Sequence, residues 1–194
     1  MIPFSDRVSV SQKIRDSKER DRLRQIIQIP ARISLIERSP NKNHYFFRWM
    51  TVSHYPELEL WNDQYQPEGV LSVTNPQQAN YNWATSEIVK WKAYDGQNLE
   101  GILYKPADYD ATKKYPLILY YYELNSDNLH NYQGPRPSAS TINPTEYASA
   151  GYFVFIPDIR YEIGHPAKSA YNCIMSATDQ LLKQFPIDST RMGL

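Results

Sequence analysis

Residues 115–160 predict an α/β fold built on a parallel sheet. Two unbroken apolar runs stand there, Tyr115-Pro116-Leu117-Ile118-Leu119-Tyr120-Tyr121-Tyr122 and Gly151-Tyr152-Phe153-Val154-Phe155-Ile156-Pro157. Both are rich in β-branched and aromatic residues, and neither alternates with polar ones. That pattern belongs to strands covered on both faces. A polar loop and a short helix over 143–150 separate them, so the order is strand, crossover, strand: a βαβ unit. Such sheets keep their chemistry at the carboxyl ends of the strands. In this chain those ends are Tyr122 and Asp158-Ile159-Arg160.

The elements follow in order. Residues 11–28 carry closely spaced charges of both signs, from Lys13 and Arg15 to Arg22 and Arg24. Mixed signs at this density predict a solvated helix or coil, with Leu23, Ile26 and Ile27 as a narrow apolar stripe. Residues 31–38 read as a strand, Ser39-Pro40-Asn41-Lys42-Asn43 as a turn, and 44–51 as an aromatic-rich second strand. A third strand, 57–61, follows Pro56. Such a meander makes one blade of a β-propeller and needs neighbours to bury both of its faces. Residues 62–84, rich in Gln, Asn and Pro, read as a linker. The boundary therefore divides 1–84 from 85–194. Residues 87–94 and 99–104 flank Asp95-Gly96-Gln97, a strong hairpin signal. Over 167–184 a helix is predicted, with Ala170, Ile174, Ala177, Leu181 and Leu182 near one face. Residues 188–190 read as a turn, and a further strand starts at Arg191.

Composition excludes several classes. Lys+Arg and Asp+Glu number 21 each, so the formal net charge is zero. No electrostatic case remains for a nucleic-acid or anionic-membrane partner. The single cysteine, Cys173, rules out an internal disulfide and a cysteine-built metal site. Its default role is a helix-face residue rather than a reactive thiol. His44, His54, His130 and His165 show no metal-ligand spacing, so neither metal nor cofactor is expected. No apolar run is long enough to predict a membrane-spanning helix, and residues 1–6 lack the apolar stretch of a signal peptide.

Five pieces carry a resemblance when taken in order and spacing: Trp91-Lys92-Ala93-Tyr94-Asp95-Gly96, Leu99-Glu100-Gly101-Ile102-Leu103-Tyr104-Lys105-Pro106, the run Lys114 to Tyr122, the run Gly151 to Asp158, and Asp188-Ser189-Thr190-Arg191-Met192-Gly193-Leu194. Together they resemble the start of the catalytic domain of the prolyl oligopeptidase family of serine peptidases, which includes dipeptidyl peptidase IV. The resemblance implies the N-terminal part of an α/β-hydrolase sheet, preceded by antiparallel strands like the last blade of a β-propeller. It implies hydrolysis of peptide bonds in short peptides through an acyl-enzyme. Family members often act outside the cytoplasm, so a periplasmic or extracellular parent is expected. In this family the strand near Arg191 leads into the nucleophile elbow Gly-x-Ser-x-Gly, with the acidic and histidine triad members after it. The 194 residues contain no such motif, so this chain alone is expected to be inactive and to need the rest of a hydrolase domain.

By position, the resemblance makes Tyr122 the hydroxyl donor of the oxyanion hole; the plainer alternative is a strand-end aromatic filling the core. Glu123, Arg160 and His165 are substrate-side candidates. Against them stand a solvated carboxylate for Glu123, a structural ion pair with Asp158 for Arg160, and an ordinary loop position for His165. Where many family members have glycines, Glu123-Leu124-Asn125 follows Tyr122 in this chain. Ser138, Ser140 and Ser169 lack the elbow pattern. Two other functional readings remain open: a non-catalytic module that binds peptide or protein near Tyr122, and part of an α/β-hydrolase esterase, since the fold does not fix the substrate.

Overall fold

The computed structural model describes the backbone of residues 8–16 and 19–194, and side chains from Ile27 onward. Two compact units are present. One holds the chain up to Pro76 together with His130–Tyr132; the other holds Gln77–Leu129 and Gln133–Leu194. The reading of residues 1–6 falls outside the described residues.

The first unit begins with an antiparallel pair, β1 (Val8–Asp16) and β2 (Glu19–Ile29). This corrects the helix or coil expected over 11–28. Val8 and Val10, and Ile27 and Ile29, stand two apart, the spacing of a strand. The intervening charges hide that alternation in the sequence. The stripe expected from Leu23 and Ile26 falls on side chains outside the described ones.

Next comes a four-stranded antiparallel sheet in simple order: β3 (Arg32–Arg38), β4 (His44–Met50), β5 (Glu57–Asn62) and β6 (Pro67–Val70). Its register sets Tyr45 against Trp61 and Phe47 against Glu59. Ile27, Ile33, Tyr45, Phe47 and Trp61 form its core. Glu59 is buried among the aromatics and compensated there, accepting the indole N–H groups of Trp49 at 2.5 Å and Trp61 at 2.9 Å. The strand β6 corrects the linker expected over 62–84. Its Pro67 and Gly69 read as breakers, but proline is tolerated on an edge strand, and β6 is a fully exposed edge. The insert at 130–132 completes this unit. Asn131 accepts from Arg32 at 3.0 Å, and the Tyr132 hydroxyl accepts from Asn75 at 2.8 Å. The Tyr132 ring meets Tyr55 edge-on, with centroids 5.0 Å apart.

The second unit is a mixed five-stranded sheet with helices. Its strands are β7 (Ala84–Lys92), β8 (Asn98–Pro106), β9 (Tyr115–Leu119), β10 (Phe153–Pro157) and β11 (Ile187–Gly193), in the order β11-β9-β10-β8-β7. The three strands β11, β9 and β10 are parallel; β8 runs antiparallel to β10, and β7 antiparallel to β8. Strand β10 is buried at all five positions, as its unbroken apolar run demands. Along it, Phe153 and Phe155 join one core with Leu99, Leu103, Leu117 and Leu119. Val154 and Ile156 take the alternate positions and are buried on the opposite face. Helix α1 (Pro144–Ser149) forms the crossover and is capped by the Asn143 side chain, which accepts from the Glu146 amide at 3.1 Å.

Helix α2 (Pro166–Gln184) buries Cys173, Ile174, Ala177 and Leu181 against the phenylalanine face. Leu182, expected in the same stripe, is 38 % exposed. The helix is tied to the hairpin by the Trp91 indole N–H, which donates to Ser176 Oγ at 2.9 Å.

Two boundaries differ from expectation. Strand β9 ends at Leu119, so Tyr120, Tyr121 and Tyr122 lie beyond the strand. Strand β11 starts at Ile187 and takes in 188–190, which read as a turn. There the ladder to β9 breaks between Ile187 and Met192, and the Asp188 carboxylate accepts from the Thr190 amide and hydroxyl. The turn chemistry is present, but it makes a bulge inside a strand. The whole is of the expected α/β class: a mixed sheet of the form that begins an α/β-hydrolase fold, preceded in the chain by an antiparallel sheet of propeller-blade form.

Candidate functional site

The parallel pair β9 and β10 ends with the Tyr120 amide donating to the Phe155 carbonyl at 3.0 Å. Beyond that bond both chains leave the sheet as adjacent loops. The loop after β9 carries Tyr122 and Glu123; the loop after β10 carries Asp158, Ile159, Arg160 and Tyr161.

A continuous set of hydrogen bonds joins these two loops. Tyr161 donates its hydroxyl to the Tyr122 carbonyl at 2.9 Å. The Ile159 amide donates to the Glu123 carbonyl at 3.0 Å. Asp158 Oδ1 accepts the amides of Asn125 at 2.6 Å and Ser126 at 2.9 Å, while its Oδ2 accepts the Ser126 hydroxyl at 2.6 Å. The carboxylate is only 5 % exposed, and these three donors compensate its burial. The Tyr161 hydroxyl is pushed above its ordinary pKa, first by burial and then by neighbours that include Tyr121 and Glu123. Like any phenol, whose ordinary pKa is about 10, it is a protonated donor at neutral pH.

The expected site residues fall as follows. Tyr122 is 79 % exposed, so its ring does not fill the core. Glu123 is also exposed and adjoins it in the same loop. Arg160 is exposed and makes no ion pair with Asp158; the aspartate is satisfied by backbone amides of the neighbouring loop instead. Arg160 lines two clefts, one of about 580 Å³ with Trp91 and Glu100, the other of about 640 Å³ with Tyr94, Tyr161 and Tyr171. His165 lies apart from Tyr122 in the bonding scheme. It is the exposed N-cap residue of α2, and its carbonyl accepts the amide and hydroxyl of Ser169 at 3.0 and 2.9 Å.

Ser169 is buried, and its hydroxyl also accepts the Glu162 amide at 2.9 Å, which fixes the turn before the helix. Cys173 is buried in the core, and burial pushes its thiol pKa up, so it is a packing residue. Among the described residues no group of three or more His, Cys, Asp or Glu could hold a metal ion. No described helix is long and apolar enough to cross a membrane. Sequence reasoning missed the roles of Asp158 and Tyr161 in holding the Tyr122 loop. The partners are 32 to 39 residues apart, and nothing local marks them.

No family model matches the sequence, and no curated protein sequence does so. Solved structures do match. The AtxE2 isopeptidase aligns over 97 % of this chain and 30 % of its own, with a TM-score of 0.67 and 15 % identity. Oligopeptidase B from Leishmania major aligns over 95 % and 28 %, with a TM-score of 0.58 and 15 % identity. A candidate dipeptidyl aminopeptidase IV from Bacteroides ovatus aligns over 86 % and 25 %, with a TM-score of 0.52 and 23 % identity. At these identities the shared property is the fold. The chain spans between a quarter and a third of the length of these proteins.

Proposed function

We propose that this chain is part of a serine peptidase of the prolyl oligopeptidase and dipeptidyl peptidase IV kind, one that hydrolyses short peptides through an acyl-enzyme. It supplies the end of a propeller, within 1–84, and the opening strands of the hydrolase domain, within 85–194. Its chemical contribution is the Tyr122 hydroxyl, donated to the oxyanion that develops on the scissile carbonyl. One observation carries the reading: Tyr122 is exposed just beyond the carboxyl end of a parallel strand, on a loop bonded to the next strand's loop. The similarity to peptidases along nearly the whole chain supports it. Glu123, Arg160 and His165 are the candidate contacts for peptide. The nucleophile, acid and histidine base come from outside these 194 residues, which hold no Gly-x-Ser-x-Gly.

Serine-directed fluorophosphonate labelling tests this. The 194-residue chain stays unlabelled, whereas the protein as its gene encodes it takes one label and releases nitroaniline from a dipeptidyl nitroanilide. In that protein Tyr122→Phe lowers kcat by roughly 10²–10³, as loss of one oxyanion donor does elsewhere. Stoichiometric labelling of the 194-residue chain at one serine sinks the proposal. So does a nitroanilide rate indifferent to Tyr122→Phe. Turnover of simple esters with none of anilides assigns an esterase instead.

A further inference from the structure

We infer that Asp158 and Tyr161 are positioning residues for Tyr122: they fix the loop that presents its hydroxyl. This rests on the proposed role of Tyr122 and goes beyond it.

An oxyanion donor works only if it is held where the charge will develop, because reorganising it during the reaction forfeits the advantage. Tyr122 gets no such help from its own ring, which is 79 % exposed. Nor does the sheet hold it, since β9 ends three residues earlier at Leu119. Its placement therefore depends on the backbone of residues 122–126, and that backbone is held from across the gap between strands. Tyr161 takes the Tyr122 carbonyl at 2.9 Å, directly on the residue in question. Asp158 takes the Asn125 and Ser126 amides at 2.6 and 2.9 Å and closes the far end of the loop. The two anchors lie on either side of Glu123, whose carbonyl is fixed by Ile159.

The anchors themselves are rooted in the sheet. Asp158 directly follows β10, and its own amide donates to the Glu100 carbonyl of β8 at 2.9 Å. Asp158 thus links the central strands to the loop that carries Tyr122 and Glu123. The Tyr161 phenol, with an ordinary pKa of about 10, is a donor across the neutral range.

Two measurements test this and separate its failure from failure of the peptidase reading. In the 194-residue chain, amide hydrogen exchange reads the anchor without any activity. Asp158→Ala accelerates exchange at Asn125 and Ser126 by at least about tenfold, and Asp158→Asn, which keeps an acceptor oxygen, does so far less. Unchanged exchange in Asp158→Ala overturns the inference whatever the function.

In the gene-encoded protein, Tyr161→Phe and Asp158→Ala each lower kcat by roughly 10- to 100-fold, the order expected for misplacement of about 1 Å. KM for the nitroanilide changes by less than about twofold. Each loss disappears in a Tyr122→Phe background, because the anchor then has no hydroxyl to position. Losses that persist undiminished in that background overturn the inference while leaving the peptidase reading intact. Tyr161→Phe removes only a hydroxyl from a 43 % exposed residue, so the test does not depend on Asp158→Ala folding well. If Tyr122→Phe alone costs nothing, the peptidase reading fails, and the positioning role of Asp158 and Tyr161 falls with it.

Discussion

Gly101 lies in β8 opposite Pro157 of β10, and the strands approach there more closely than any side chain allows. A methyl group placed on its Cα would stand 2.7 Å from the Ile156 carbonyl oxygen, 2.7 Å from Pro157 Cα and 2.8 Å from the Phe155 ring. Carbon atoms settle about 3.5–4.0 Å apart, so Gly101→Ala requires a local separation of roughly 0.8 Å or more. Two of the three obstructing atoms are backbone, and Phe155 is fully buried, so no flexible side chain can yield. Overpacking in such places costs about 1–3 kcal/mol, and this geometry belongs at the upper end. About 3 kcal/mol is a large share of a typical domain's 5–15 kcal/mol, and corresponds to a Tm lowered by about 10 °C for a unit of this size. Urea and thermal unfolding followed by far-ultraviolet circular dichroism measure it. Gly193→Ala is the control, since nothing lies within 4 Å of its added methyl group. A Gly101→Ala midpoint within about 2 °C of the parent, or equal to that of Gly193→Ala, would show that the close approach of β8 and β10 is not a constraint.

Other expectations come from single bonds. Ser176→Ala removes the acceptor of the buried Trp91 indole N–H and should cost about 1–3 kcal/mol, read as a lower urea midpoint with altered tryptophan emission; an unchanged midpoint counts against that bond. The Asp188 carboxyl is held down at a pKa of about 2 by the Thr190 hydroxyl first, then by Arg191 and the Thr190 amide. Its folded value lies below the unfolded one, so its contribution is fully present above about pH 4 and is lost as pH falls toward 2. Carboxyl resonances of Asp188 should titrate near pH 2, and Asp188→Asn should remove that part of the acid limb; a midpoint near 4 refutes the assignment.

How far the residues announced the structure depends on the range of the interactions involved. The runs that became β9 and β10 could be read directly, because a continuous apolar stretch bounded by breakers fits little except a strand covered on both faces. Asp95-Gly96 announced its hairpin for the same local reason, and Gly96 does adopt a positive φ of 88°. Where two local signals conflict, the reading failed. Charges hid the alternation of β1 and β2, Pro67 and Gly69 hid an edge strand, and the Asp188 turn lay inside β11. The anchors of the Tyr122 loop were unreadable for another reason. A carboxylate that accepts amides 32 residues away has no periodicity, and only the pairing of β9 with β10 brings them together.

The insert at His130–Tyr132 has a consequence for synthesis. The unit that begins the chain is not continuous: its strands are finished by Pro76, but the partners of Arg32, Tyr55 and Asn75 are encoded 55 or more residues later. At ribosomal rates of about 5–20 residues per second, that interval is roughly 3–11 s. Throughout it the nascent first unit is one short segment from completion, while β7, β8 and β9 emerge before β10, the strand that joins β8 to β9, exists. A single genetic cut at Pro76 cannot reproduce either unit faithfully, since it leaves His130–Tyr132 with the wrong piece.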